Sequence, residues 1–411
     1  MKILIYGINY APELTGIGKY TGEMASWLAN KGHEVHVVAA MPYYPEWRIH
    51  DAYKGRLWFT EIVDGVRVHR SPLYVPAMVD AKKRILHEFS FLLATMPGWL
   101  RRIFAQKFDL VFTVAPPFHL NLLSVLYKKL RGGALVNHVQ DLQVDAAKDL
   151  GMIKNRRFLK LMFGMERWLM MQSSRVSTIS AGMQHKILAK GIPMEKMLFF
   201  PNWVDSGFIY PLPKERSLLT TFGYDSSHKI VLYSGNLGEK QGLDMIIRVA
   251  AAFKNEPDVQ FAVCGQGGGK DKLVELAAAS GTNNLRFFPL QPYGQLAALL
   301  AMADVHLVLQ KSNAADLVMP SKLTGILAAG GCSVITALPG TSLYDTVHQH
   351  DMGILVPPED DAALAQGIRK GLYEENNSIR LNARKYAEEY LDKENILSKF
   401  EAAMIALATN V

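Results

Sequence analysis

MKILIYGINYAPELTGIGKY, residues 1–20, carries the reading on which the fold turns. Ile3–Tyr6 is a short apolar run suited to a buried strand, Gly16 and Gly18 follow in a loop, and Tyr20–Asn30 places apolar residues at helical spacing. A strand that passes through glycines into a helix brings backbone close to a ligand, and a helix N-terminus favours an anionic group. The succession returns at Lys229–Ser234, which runs into Gly235-Asn236-Leu237-Gly238-Glu239-Lys240-Gln241-Gly242. A dinucleotide fingerprint would require a glycine at position 21 and an acidic residue at the end of the second strand. Thr21 and Ala39-Ala40 stand there instead, which argues against a nicotinamide-dependent oxidoreductase.

Working outward, apolar runs at Val35–Ala39, Val66–Arg70, Leu110–Val114, Ala134–Asn137 and Val176–Ile179 alternate with helical patterns such as Arg156–Met171. A second series follows at Gln260–Cys264, Leu285–Pro289, Val305–Gln310, Cys332–Thr336 and Gly353–Val356. Strands alternating with helices make parallel sheets, so the spacing predicts an α/β chain of two Rossmann-like domains. A length of 411 residues is too great for one ordinary core and suits two. Pro201, Pro211 and Pro213 mark the passage between them, giving an N-terminal domain over 1–204 and a C-terminal domain over 205–391. The charged, helical tail is expected to return through residues 392–411 to the first domain.

Cys264 and Cys332 lie inside apolar segments and read as small core residues in a reducing compartment. The run after Lys2 is too short for a signal peptide, and no stretch of about 20 apolar residues occurs, so a cytoplasmic location is expected. Charge is uneven. Residues 1–200 hold 27 Lys and Arg against 15 Asp and Glu, while the remainder holds 18 against 23. The first half is therefore expected to face something anionic. No helix-turn-helix or aromatic-studded basic strand supports nucleic acid, and none is expected as a partner. Lys82-Lys83-Arg84, apolar Phe89–Leu100, then Arg101-Arg102 and Lys107 read in two ways. The segment suits the headgroup layer of an anionic membrane at its inner face, or a basic-ended helix lining a cleft.

Chemistry gathers at predicted strand ends. His138, Asp141 and Asp145 close one strand of the first half, where a His and carboxylates could orient hydroxyls or exchange protons. A core histidine bonded to a neighbour is the other reading of His138. In the second half, Gly235, Asn236, Lys240 and Gln241 would suit a diphosphate, and Gly265 and Gly267 form a further glycine turn before Lys270. Lys311 and Asp316 lead into Pro320-Ser321-Lys322, where a proline at a helix start leaves backbone N–H groups for a phosphate. No Asp-x-Asp stands at a strand end, and no metal or other cofactor is expected.

Longer strings carry a resemblance: YGINYAPELTGIGKYTGEM, HVQDLQVDA, FFPNW, LYSGNLGEKQGLD, VCGQGGGK, RFFPLQ, AADLVMPSKLTGILAAGG and LDKEN. Over essentially its whole length the chain resembles the family-4 retaining glycosyltransferases of the GT-B fold, and among them the colanic-acid-type exopolysaccharide enzymes. The resemblance implies two Rossmann-like domains facing a central cleft. It implies a nucleotide-sugar donor bound mainly by the second domain, and a lipid-linked saccharide acceptor at the first. Fucose from GDP-fucose is the implied transfer. Gly16 and Gly18 match the family's glycine loop; Gly235, Asn236 and Lys240 match its phosphate turn; Ser321 and Lys322 match the helix that receives the diphosphate. Same-face attack is implied, with the departing phosphate taking the acceptor proton and Asp141 or His138 orienting the acceptor. The chain departs from the family where Gln241 replaces a lysine and where Leu317 and Gly325 replace two glutamates. An epimerase on the same fold, or a non-catalytic membrane scaffold, are the alternative readings.

Overall fold

The computed structural model describes residues 1–13, 16–78, 80–149, 153, 155–238, 241–312 and 320–409. The chain folds as two units, Met1–Pro201 with Leu397–Val411, and Asn202–Ile396.

The first unit holds an eight-stranded sheet: β1 (Lys2–Tyr6), β2 (Glu34–Ala40), β3 (Phe59–Val63), β4 (Val66–Ser71), β5 (Leu110–Ala115), β6 (Ala134–Val139), β7 (Arg175–Thr178) and β8 (Met197–Phe199). Their order is β3-β4-β2-β1-β5-β6-β7-β8. All neighbours are parallel except β3 and β4. Both faces of a parallel sheet are covered by helices, and β5 and β6 accordingly bury every residue. β3 and β8 were not anticipated from the sequence. β3 is an edge strand whose residues are half-buried or exposed, so the apolar run that betrays a central strand is lacking.

The segment Lys82–Lys107 contains one long helix, Ala81–Ala105, started by the Asp80 carboxylate accepting from Lys83 N–H at 2.8 Å. Its inner face buries Phe91, Leu92, Trp99 and Ile103 against β1, where the Trp99 ring meets Tyr6 edge-on at 5.1 Å. Its outer face leaves Leu86, Leu93, Leu100 and Phe104 exposed.

The second unit holds β9 (Lys229–Asn236), β10 (Val259–Gln266), β11 (Leu285–Phe288), β12 (Val305–Val308), β13 (Ser333–Thr336) and β14 (Ile354–Val356), ordered β11-β10-β9-β12-β13-β14 and all parallel. Residues 202–204 and 392–396, expected with the first domain, group with this unit. The reason is a bridge between Val204 and Asp392, closed by Val204 N–H on Leu391 O at 2.8 Å and Lys393 N–H on Val204 O at 3.0 Å. The helix Lys393–Thr409 then returns to the first unit, stacking Phe400 on Phe200 at 3.6 Å between ring centroids and burying Met404. Its Glu401 meets His33 at 2.7 Å.

Candidate active site

In the second sheet the strand order reverses beside β9: β10 and β11 lie on one side, β12 to β14 on the other. Open α/β sheets receive ligands at such a switch, beyond the C-terminal ends of the strands. Gly235 and Asn236 end β9 there, in register with Gly265 and Gln266 of β10. A Cβ on Gly265 would stand 1.9 Å from the Gly235 carbonyl oxygen, so only glycine lets the two strands finish side by side. Gly267 continues against Asn236 and Leu237. The Tyr233 hydroxyl donates to the Asn236 carbonyl at 2.8 Å and fixes the end of β9.

Lys322 arrives from the first turn of the helix Ser321–Ala328. Its Cε and Nζ lie over Gly235, and Nζ stands 3.6 Å from the centroid of the Tyr233 ring. That nitrogen is buried and has no hydrogen-bond partner among the described residues. Burial pulls its pKa down to about 7, because an ammonium away from water loses its hydration. Pro320 precedes the helix, whose start no side chain caps among the described residues, and its first amides can serve an acceptor. A cation and uncapped amides together fit a diphosphate.

Gln241 lies against Gly238, with its carbonyl oxygen buried and without a hydrogen-bond partner among the described residues. Lys311 runs beside Gly242. The preceding Gln310 is pinned through Thr336, whose hydroxyl accepts from Gln310 N–H at 2.7 Å and donates to its carbonyl at 3.0 Å. Lys240 and Asp316 lie outside the described residues. Gly235, Asn236, Gly265, Gly267 and Lys322 thus meet at one strand end, with Pro320 and Ser321 opening the helix that carries Lys322.

In the first unit, Gly16 adopts a positive φ of 59° beside the Tyr44 ring, and Gly18 packs on Glu13. Asp141 follows β6 and is half-buried. His138 requires a correction. Its ring lies inside the core, 3% exposed, stacked on Phe112 and close to Phe200, with Nδ1 2.9 Å from the Ser177 hydroxyl. Burial lowers its pKa to about 3, so it is a neutral ring of the core, the other of its two readings. The strand alternation that aims Asn137 to one side aims His138 at the helix carrying Phe400.

Sequence reasoning passed over three buried carboxylates in this unit, Glu13, Glu88 and Glu166, the last ion-paired with Lys190. Glu13 accepts from the backbone N–H of Tyr43 and Tyr44, and Glu88 accepts from Gln143 Nε2 at 2.8 Å on both oxygens and from Arg84 Nε at 3.2 Å. Burial raises the pKa of each. Glu88 had one available signal, an acid four residues after Arg84 within a helix otherwise turning apolar.

Residues 15–203 match the family model of a glycosyl transferase 4-like domain, and residues 221–390 match glycosyl transferases group 1. Along 409 residues the chain is 44% identical to WcaI of Escherichia coli K12, named as a colanic acid biosynthesis glycosyl transferase; the match covers 97% of this chain and 98% of that protein. The chain is a GT-B glycosyltransferase. Solved structures agree on the fold of this glycosyltransferase. Sucrose-phosphate synthase from Thermosynechococcus elongatus superposes with a TM-score of 0.79 at 15% identity, covering 100% of both chains. Anabaena HepE, solved with UDP and glucose, gives 0.72 at 15% identity, covering 99% of this chain and 100% of its own. No helix among the described residues of the glycosyltransferase is long and apolar enough to cross a membrane.

Proposed function

We propose that this glycosyltransferase moves a hexose, with retention, from a nucleoside diphosphate sugar to a lipid-linked saccharide during assembly of a colanic-acid-like exopolysaccharide. The observation that carries the donor site is the buried Lys322 ammonium over Gly235, at the start of its helix, without a hydrogen-bond partner among the described residues. The departing diphosphate accumulates negative charge in the transition state. Lys322 and the first amides of its helix would meet that charge, with Gly265 and Gly267 allowing the backbone to approach. These groups supply the stabilisation in this scheme without calling on a metal. Asp141 would orient the acceptor hydroxyl, and His138 takes no part.

The nucleotide and acceptor readings rest on likeness to the colanic acid relative, and GDP-fucose is the proposed donor. Contact with an anionic membrane rests on the exposed apolar side chains of helix Ala81–Ala105 beside its basic ends. A thermal-shift panel of GDP, UDP, dTDP and ADP, then of the matching sugar nucleotides, tests the donor site. A selective rise with GDP, larger with GDP-fucose, is expected. No shift with any nucleotide at millimolar concentration would overturn the reading.

A further inference from the structure

Glu13 joins three segments at the C-terminal edge of the first sheet. Its Oε2 accepts from Asn9 Nδ2 at 2.9 Å, and its Oε1 accepts from the backbone N–H of both Tyr43 and Tyr44, each at 3.1 Å. The helix Gly16–Asn30 reaches the same carboxyl, since a Cβ on Gly18 would stand 2.7 Å from Oε2 and 2.8 Å from the Cβ of Glu13. The side chain is 3% exposed. Charged neighbours on each packed element are engaged elsewhere. Arg70 of β4 donates to the carbonyls of Ala11 and Ala40 and pairs with Glu61. Arg84 pairs with Glu88 on the long helix, and Lys19 stands 3.8 Å from Glu23 on the first helix. Tyr43 and Tyr44 face Glu13 with phenols that burial keeps protonated.

A carboxylate bonded, among the described residues, only to neutral donors and shut away from water is a costly choice for holding loops together. Burial outweighs the three hydrogen bonds and Arg70, and pushes its pKa up to about 7. The folded pKa lies above the ordinary value of 4.5, so the ionised form weighs against folding: stability falls as pH rises from 4.5 through 7 and then levels. An amide of the same shape would avoid that loss.

We propose that Glu13 is a positioning residue whose carboxylate locks the Gly16–Gly18 turn to the Tyr43-Tyr44 segment, presenting the turn to substrate in a single conformation. This rests on the transferase reading above. Protonation removes an acceptor from the three-donor arrangement and loosens the turn, so turnover falls as pH drops below about 7.

Glu13→Gln keeps the shape and abolishes the charge. At pH 8 the variant is expected to melt at or above the wild-type temperature. Hydrogen exchange over residues 9–13 and 16–22 should quicken in the variant. With GDP-fucose and membrane-extracted lipid-linked saccharides, kcat/KM should fall about tenfold and lose the wild-type inflection near pH 7. Wild-type turnover from pH 5.5 to 8.5 supplies a second arm that needs no variant. Unchanged exchange overturns the proposal, as does loss of turnover that merely tracks a lower melting temperature. If the wild type uses no nucleotide sugar, the transferase reading fails, while the exchange comparison still decides Glu13.

Discussion

At the scale of single residues, the second unit concentrates its chemistry in Lys322. Replacing it by Ala removes the buried cation from Gly235, and turnover should fall about 100- to 1,000-fold, as for loss of a transition-state charge donor. Far-UV circular dichroism should hold and the melting temperature should not fall, since among the described residues the ammonium makes no hydrogen bond that folding would miss. Near-normal turnover would remove Lys322 from the mechanism. Its lowered pKa also fixes a sign. Between about 7 and the ordinary value of 10.5 the folded protein binds fewer protons than the unfolded chain, so this group adds stability as pH rises through that window. Diphosphate binding runs the other way, because the anion recruits the proton. Calorimetry of GDP binding at pH 8, in buffers of differing ionisation enthalpy, should register proton uptake; identical heats after buffer correction would contradict it. His138 teaches the opposite lesson. Position at a strand end was legible, but which face of β6 the ring would take depends on Phe112, Phe200 and Phe400, which lie far away in sequence.

At the scale of elements, β9 and β10 stand or fall on their paired glycines. Gly265→Ala would drive a methyl into the Gly235 carbonyl, and about 1–3 kcal/mol of overpacking cost should appear in urea denaturation. The nucleotide thermal shift should vanish with it. An alanine variant of native stability would show that the strand ends can part cheaply. These turns were readable because glycine spacing reports backbone approach directly. The β3–β4 hairpin was readable too, through Asp64-Gly65, both at positive φ in a two-residue turn, but its half-exposed strand gave no apolar run to draw attention. Glu13 and Glu88 escaped because burial of a carboxylate follows from tertiary contacts, and their sequence neighbourhoods look like ordinary loop and helix surface. The long helix Ala81–Ala105 buries one apolar face in the first unit's core and leaves the other exposed, a division that the basic-flanked apolar run did not reveal.

At the scale of the whole molecule, the proposed membrane contact draws on the excess of Lys and Arg in residues 1–200. Beside the long helix, Leu122, Leu161, Met165 and Trp168 line an open groove with Arg157 and Lys160 at its rim. Leu93, Leu100 and Phe104 are the exposed apolar side chains of the long helix on which the proposed membrane contact rests. Replacing Leu93, Leu100 and Phe104 by Ser should abolish sedimentation with vesicles rich in phosphatidylglycerol while leaving the nucleotide thermal shift intact; unchanged sedimentation would move the contact elsewhere. Domains usually fold in the order they leave the ribosome. Here the stacking of Phe400 on Phe200 reverses that order. The first sheet is translated first, yet the patch around Phe112 and Phe200 waits for Phe400 until the last turns of the chain emerge, and by then the whole of the second unit has been synthesised. A nascent chain stalled anywhere before Leu397 therefore carries a complete second unit at most, and a first one still awaiting its cover.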